Sequence, residues 1–444
     1  MARVVVIGAG VAGLGAALTA AQTGVETILL ERNDFLSGLC IWSGLHGGGP
    51  VLEEMRLVSS GSIRWHDSLK RYALFWEHDL PSAQDNLGDR EESFAYDVMK
   101  ADQASWEALE GTGVKAMLRS QVVDVEKEGN RLKAVVLANG TRVEADAFVD
   151  ATGRAGLMKE WCETLGQGCG MCVLKCPLFG ECISPAVKAG AADIYPEGHH
   201  QSGGPRFFQA VMVLPESVEP WLRDEMLAAK GVYWYRVPEE WLGKDVTSQW
   251  CSPHRPLPLP NGFVEEHFLI NYTPWLKVHL NVPLHILRQL PGFRDAFPVT
   301  PLSPDGQTTF LKRITPNDNG LRVEGLANLF AAGERARTVS SMTPAMALGD
   351  LAGYNAARCA VGLEPIVLPD DTILGLFINV VKLNPGGGYN AFIPYKPDPN
   401  IRRPEHPAYR QRGLVTGDMS RDIALARERI ERLGLVGLYQ QRLV

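Results

Sequence analysis

One uninterrupted stretch near the start constrains this chain more than any other feature: residues 3 to 32 read RVVVIGAGVAGLGAALTAAQTGVETILLER. Val4 to Ile7 are apolar without alternation, as a parallel strand covered on both faces requires. Ala12 to Thr23 then read as a helix and Val25 to Glu31 as a second strand. Gly8, Gly10 and Gly13 hold the three positions of a G-x-G-x-x-G turn between strand and helix, where any side chain would keep the backbone away from a pyrophosphate. Glu31 closes the second strand, placed for its carboxylate to accept from a ribose hydroxyl. Such a glycine turn alone says little, but the flanking strand, the helix, the small Ala16 and Ala17 and the acidic residue agree. Together they predict a dinucleotide-binding α/β unit.

The rest of the chain divides around that unit. Tyr96 to Gly111 predicts an amphipathic helix. A small antiparallel meander follows, with turns at Glu128-Gly129-Asn130 and Asn139-Gly140, and it leads through Ala147 to Asp150 into Ala151-Thr152-Gly153. Residues 1–156 therefore form the first part of the dinucleotide domain. From residue 157 to 310 the chain is rich in Cys, Pro, Trp, Tyr and His, and reads as an inserted, mixed α+β, substrate-facing domain. Residues 311–365 return to the first domain: a strand from Leu326 to Ala331, a Gly333-Glu334 turn, and a helix from about Pro344 with Ala345, Ala347, Gly349, Ala352 and Gly353 at close-packing positions. The extension over 366–444 ends in a predicted amphipathic helix, Asp422 to Gln441, read as docking onto the body or onto a second copy in a homodimer. The fold class expected is α/β, with a Rossmann-like parallel sheet and a small meander.

With 45% hydrophobic and 21% charged residues in 444, the composition is that of an ordinary water-soluble protein. Its net charge of -7 offers no basic field for phosphate backbones or anionic membranes. No signal-peptide pattern opens the chain, and no apolar run approaches the roughly 20 residues that span a bilayer. The expectation is a cytoplasmic protein without nucleic-acid or membrane partners, whose eight cysteines serve as ligands or thiols before disulfides.

Taken together, the glycine turn, the Ala151-Thr152-Gly153 element and the Gly333-Glu334 turn with its following helix resemble the FAD-dependent oxidoreductases of the glutathione-reductase-like fold. Within that group, ERNDFLSGLCIWSGLHGG and NLFAAGERARTVSSMTPAMALGDLAG are most similar to the family that includes tricarballylate dehydrogenase and the flavin subunit of heterodisulfide reductases. The resemblance implies FAD, with Gly8, Gly10 and Gly13 at its pyrophosphate, Glu31 and its neighbour Arg32 at the adenosine ribose, and Val123 with the meander at the adenine. It also implies that Ala151, Thr152 and Gly153 line the cofactor. Gly333 and Glu334 would touch the ribityl chain and pyrophosphate, Glu standing where the family usually has Asp. The helix that starts near Thr343 and Ala345 would aim its positive end at the pyrimidine edge of the flavin, where charge gathers on reduction. The implied reaction is hydride transfer between a small organic substrate and flavin N5, with an acid or base nearby. His46, in the loop that passes the flavin in this family, is the candidate for that proton, or for covalent flavin attachment; as a lone loop histidine it also reads as merely solvated or structural. Arg335 and Arg337, just past the Gly-Glu turn, are candidates for a substrate carboxylate or for reduced-flavin charge, and read equally as making ordinary surface or ribityl contacts.

Only one dinucleotide fingerprint is present. Where an enzyme of this fold with its own NADPH domain shows a second, this chain has GCGMCVLKCPLFGEC. Cys169, Cys172, Cys176 and Cys182 follow a C-x2-C-x3-C-x5-C spacing with Pro177 after the third. Four thiolates on so short a loop fit a 4Fe-4S cluster, although the spacing is not a standard ferredoxin run. Zinc more often takes two paired knuckles separated by about 12 or more residues, and it stands as the alternative, ahead of redox-active or free thiols. Cys162 is a rival ligand, whereas Cys40, Cys251 and Cys359 read as small buried hydrophobes. With a cluster, the electron partner would be a ferredoxin-like carrier or another redox subunit. Tyr233, Trp234, Tyr235, Arg236, His254 and Arg255 read as pocket or core, and His199 and His200 as unassigned. Three further readings stand beside this one: a zinc-containing FAD oxidase or dehydrogenase, an electron-transfer subunit of a larger complex, and an FAD-dependent tRNA-modifying methyltransferase, which fits the length but not the acidic charge.

Overall fold

The computed structural model describes residues 2–38, 45–46, 49–76, 94–153, 184–192, 210–228, 232–236, 267–271, 288–297, 314–337, 342–381, 409, 411–416 and 418–444. The predicted opening unit forms as β1 (Arg3–Ile7), α1 (Val11–Gln22) and β2 (Glu26–Leu30). There follow β3 (Leu45–His46), α2 (Pro50–Leu57), α3 (Ser62–Lys70), β4 (Ala73–Trp76) and β5 (Phe94–Tyr96). The helix expected from Tyr96 is shorter: α4 (Ala101–Leu109) begins only after a 3-10 turn at Val98–Lys100. Tyr96 itself closes a strand, because its run of aromatic residues pairs with β3 and β4.

β6 (Lys115–Met117), the meander strands β7 (Val122–Glu128), β8 (Arg131–Leu137) and β9 (Arg142–Glu144), and β10 (Ala147–Asp150) lie where the alternation placed them. Within the middle of the chain come α5 (Pro185–Lys188), β11 (Ala210–Met212), α6 (Pro220–Ala228), β12 (Val232–Arg236) and β13 (His267–Asn271), the three strands forming one sheet. The return comprises β14 (Leu329–Ala331) and α7 (Met342–Ala360), then α8 (Ile373–Leu376) and α9 (Met419–Arg432). The final helix thus starts and stops earlier than its charge pattern suggested; Gly434 and Gly437 adopt positive φ just beyond it and turn the chain.

The central sheet runs β14-β10-β1-β2-β6, every neighbouring pair parallel. β1 and β10 are buried almost throughout, which explains their unbroken apolar runs. Against this sheet α1 and α7 pack at very close range: a Cβ on Gly349 would stand 2.1 Å from the Ala12 carbonyl oxygen, and one on Gly353 2.1 Å from that of Ala16. Gly349 and Gly353, two of the small residues read as close-packing positions, are at this contact, opposite Ala12 and Ala16.

A buried carboxylate joins three helices. Asp350 Oδ1, on α7, accepts from Thr19 Oγ1 of α1 at 2.7 Å and from the backbone N–H and hydroxyl of Ser62, at the start of α3, at 3.0 and 2.9 Å. Burial pushes the Asp350 carboxyl up to about 6, against the pull of those donors. An acid raised in the folded state stabilises the fold below its ordinary 3.8 and loses that contribution as pH rises through about 6. Asp350→Asn is therefore expected to gain roughly 3 kcal/mol relative to the unmodified chain between pH 4 and 7, read by urea denaturation at each pH. Parallel pH profiles for the two proteins would refute this.

The C-terminal helix docks onto the body. Arg427 pairs with Glu53 at 2.7 Å, and Arg429 with the fully buried Glu54 at 3.3 Å. Burial raises the Glu54 carboxyl, opposed by the backbone N–H groups of Ile373 and Leu374 and by Arg429. Glu54 thus caps α8 and anchors α9 from a single position on α2.

Candidate active site

The glycine turn is closed at two of its three glycines and open at the third. Gly8 has φ +100°, and a Cβ there would lie 2.6 Å from the Ala151 carbonyl oxygen. A Cβ on Gly13 would fall 1.7 Å from the Gly8 oxygen. A Cβ on Gly10, by contrast, would meet no atom within 4 Å. Packing therefore demands glycine at positions 8 and 13, while at position 10 the fold leaves room. That room lies at the start of α1, whose N-terminus no side chain caps, so the orphan amides and helix dipole there suit an anionic pyrophosphate.

Of the other expected cofactor residues, Glu31, Ala151, Gly153, Gly333, Glu334 and Ala345 are linked to this turn or to one another near the carboxyl ends of β1, β10 and β14. Glu31 follows β2, with Oε2 accepting from the Ala9 N–H at 2.8 Å and Oε1 from the Asn33 N–H at 2.9 Å. Those bonds hold the carboxylate against the turn and leave lone pairs on both oxygens for a ribose. Arg32 beside it is partly exposed. Val123 sits at an irregularity in the β7–β8 ladder, half-buried. Ala151 donates to the Ile7 carbonyl at 2.9 Å, and Gly153 turns with φ +59°. A Cβ on Gly153 would stand 3.9 Å from Glu334 Oε2, and one on Gly333 2.7 Å from Ala12 Cβ and 3.8 Å from Ala345 Cβ. Thr343 is buried in the first turn of α7.

The two arginines differ from expectation. Arg335 is fully buried, its Nε 3.5 Å from Asp150 Oδ2, while its Nη2 donates to Ser184 at 2.9 Å and to Thr315. Asp150 accepts further bonds from Thr152 N and Oγ1, from Ser184 Oγ and from Ala186 N. Arg337 is buried as well: Nε donates to the Ile378 carbonyl, Nη1 to Asn317 Oδ1 and the Ala336 carbonyl, and Nη2 to the Asp318 carbonyl. Burial draws its guanidinium down to about 10. Both guanidinium groups are turned inward and tie the Gly333-Glu334 turn to the surrounding chain. A sequence-local position after the Gly-Glu turn carried no information about which way these long side chains fold.

His46 is buried too, and it is not alone. Its Nε2 lies 2.7 Å from Nδ1 of His66, on α3, a partner that sequence reading missed. Twenty residues apart and in different elements, the two share no local pattern that would have paired them. Trp65 and Phe94 pack edge-on against His46, with ring centroids 5.7 and 5.5 Å away, and Phe94 also meets His66 at 5.6 Å. Burial lowers His46 to about 3. Burial first, then the charges of His46, Arg56 and Lys70, lowers His66 to about 2. Both rings are neutral at physiological pH.

Cys169, Cys172, Cys176 and Cys182 lie outside the described residues, as do Cys40, Cys162 and Cys251. So do His199, His200, His254 and Arg255. Cys359 is half-buried at the end of α7 with its thiol toward the Ala327 carbonyl, as a small core residue. Among the described residues no three His, Cys, Asp or Glu side chains come together as metal ligands, and no helix is long and apolar enough to cross a membrane.

A five-stranded parallel sheet, a strand-turn-helix opening with a glycine turn open over one residue and a carboxylate just past β2 define the class to which this architecture answers, an α/β fold of the Rossmann-like kind. Residues 3–160 match the family described as FAD dependent oxidoreductase. In overall shape the chain is similar to Aquifex aeolicus GidA in two crystal forms, with TM-scores of 0.57 and 0.56 at 16% and 17% identity, covering 98% and 97% of this chain and 75% and 78% of that one. A 97-residue stretch is 36% identical to "Methylenetetrahydrofolate--tRNA-(uracil-5-)-methyltransferase TrmFO" of Crocosphaera subtropica, covering 22% of this chain. That match spans only about a fifth, 21%, of the relative's length.

Proposed function

We propose that this chain is an FAD-dependent oxidoreductase acting on a small organic substrate, with electrons passing through a 4Fe-4S cluster held by Cys169, Cys172, Cys176 and Cys182. The observation that carries the flavin reading is the unfilled space over Gly10, framed by Gly8, Gly13, Glu31 and the Ala151–Gly153 element. Bound there, FAD would supply two-electron hydride chemistry at N5 and one-electron exchange with the cluster. The chain's own residues would then cradle its pyrophosphate on the α1 amides, hold its ribose on Glu31 and present α7 to its flavin end. His46 handles the substrate proton.

The experiment follows from the contrast between glycines. Gly10→Ala is expected to leave the thermal midpoint of the apoprotein nearly unchanged, because the added Cβ meets no atom within 4 Å, while FAD affinity falls by roughly tenfold or more. Isothermal titration with FAD alone decides it. Unchanged affinity would remove the cradle from consideration.

The cluster rests on the cysteine spacing and on the lack of a second dinucleotide fingerprint. Anaerobic purification is expected to yield about four irons and four sulfides per FAD, with a reduced-state EPR signal that Cys172→Ser abolishes. One zinc without sulfide would recast the loop as structural. The external electron partner on this reading is a ferredoxin-like carrier or redox subunit.

The likeness to the tRNA methyltransferase favours a second reading, in which the flavin serves methyl transfer to a tRNA uracil. The net charge of -7 argues against a surface built for a polyanion. A gel-shift titration with bulk tRNA separates the two: saturable binding at physiological salt would favour the second.

A further inference from the structure

Ser37 holds a backbone conformation that its residue type does not favour. It lies in the loop after β2 with φ +73°, in the left-handed region where a Cβ is strained and glycine is not. Glycine follows directly, Gly38 at φ +52°. Serine at position 37 offers what glycine lacks, a hydroxyl, and that hydroxyl is buried and bonded. Its Oγ donates to the Ala101 carbonyl of α4 at 2.7 Å and lies 2.5 Å from Ser105 Oγ. One residue earlier, the Leu36 N–H donates to Asp102 Oδ1 at 2.6 Å. Helix α4 thus holds the loop at two successive residues. It is braced in turn by α3, whose Trp65 Nε1 donates to Ser105 Oγ at 2.9 Å.

The loop rests against Gly10. Ser37 and Gly10 form a parallel bridge, and a Cβ on Gly38 would stand 2.9 Å from Gly10 Cα. Gly10 immediately precedes α1, and its carbonyl accepts from the Leu14 N–H at 2.8 Å. In the direction its own Cβ would take, it meets only the unfilled space. Glycine has more backbone freedom than any other residue, and the amides that follow it converge on an anion only while its conformation is fixed. Strained backbone persists where the surroundings over-determine it; for Ser37 those surroundings are Ala101, Ser105 and the neighbouring bond from Leu36 to Asp102.

We propose that Ser37 and Asp102 are positioning residues for the cofactor's pyrophosphate, acting through Gly10. Their bonds clamp the loop between β2 and α4 so that it stays seated on Gly10, and the space beside that glycine is formed before the cofactor arrives. The proposal rests on the flavin reading above. Loss of the clamp leaves the parallel sheet and the α1–α7 contact in place, because neither Ser37 nor Asp102 belongs to them. The loop then samples other conformations, and the apparent affinity for FAD falls in proportion to the fraction of molecules in which Gly10 is still seated.

The test uses the full chain freed of flavin, with three variants read by isothermal titration with FAD and by thermal melting without it. Ser37→Gly removes the hydroxyl and relieves the strained φ, so the melting midpoint is expected to hold level or rise while FAD affinity falls roughly fivefold or more. Asp102→Ala, which takes the acceptor from the Leu36 N–H, is expected to lower FAD affinity as well. Asp102→Asn keeps a carbonyl oxygen for that N–H and is expected to restore most of the affinity. Unchanged FAD affinity in Ser37→Gly, or a loss that comes only with a lowered midpoint, makes the loop a packing element and overturns the clamp while the flavin reading stands. Asp102→Asn binding as weakly as Asp102→Ala overturns it equally. An unmodified chain that takes up no FAD overturns the flavin reading and the clamp with it.

Discussion

Asp150→Ala is expected to cost about 4 kcal/mol of folding stability, more than Arg335→Met at about 3 kcal/mol. Both remove one half of a fully buried ion pair. The asymmetry comes from what each leaves behind. Without Arg335, the Asp150 carboxylate keeps Thr152 N and Oγ1, Ser184 Oγ and Ala186 N. Without Asp150, the buried Arg335 loses the carboxylate beside its Nε, and the four donors of Thr152, Ser184 and Ala186 lose their acceptor at the same time. Asp150→Ala also frees Thr152 and the α5 start, so FAD retention should fall with stability. Urea denaturation of the two single variants and the double variant measures the coupling. Coupling below about 1 kcal/mol would show the pair to be a neighbour contact and no more.

Gly349→Val is expected to be nearly as severe, at about 3 kcal/mol or more, with loss of bound FAD. A Cβ at this position would overlap the Ala12 carbonyl, which is backbone and cannot rotate aside. The helices α1 and α7 must separate, and Ala12 is also the residue against which Gly333 rests. Separation therefore opens the cradle from the Gly333–Ala345 side while weakening the core. Gly353→Ala, one turn further from the cradle and with a smaller side chain, is expected to lower stability but to leave FAD affinity closer to the unmodified value. Thermal melts with and without saturating FAD distinguish the two. Equal loss of FAD from both would mean that the helix contact acts on the whole domain and not on the cradle.

The parts of the site that depend on a local pattern were legible in the sequence. Strand, glycine turn, helix and the carboxylate of Glu31 lie within residues 3 to 32, and each is dictated by nearest neighbours: apolar continuity, the absence of Cβ, and a terminal acidic residue. The small residues of the return helix were legible for the same reason, as were the two tight turns of the meander. Where the expectation slipped, a longer-range force intervened. Tyr96 carries helical spacing but is drawn into a strand by β3 and β4. The amphipathic pattern of the final helix was read through to Gln441, yet the helix stops at Arg432 and Gly434 and Gly437 turn the chain just beyond it.

Residue chemistry fared differently. The positions of Arg335 and Arg337 just past the Gly-Glu turn suggested roles at a substrate, and only the tertiary structure shows their guanidinium groups turned inward onto Asp150 and onto the carbonyls of Ala336, Asp318 and Ile378. His46 stood out as a lone histidine in a glycine loop; its partner, Trp65 and Phe94 come from elements brought together by folding.

By itself, then, the sequence determined the class of fold and the strand, glycine turn and helix that open it, because those follow from steric rules acting over a few residues. The tertiary structure alone decided which charges are buried and paired, which histidine has a partner, and how close two helices approach. Those properties depend on distances between residues far apart in the chain, and the free energy of a buried polar group is set by what surrounds it in space.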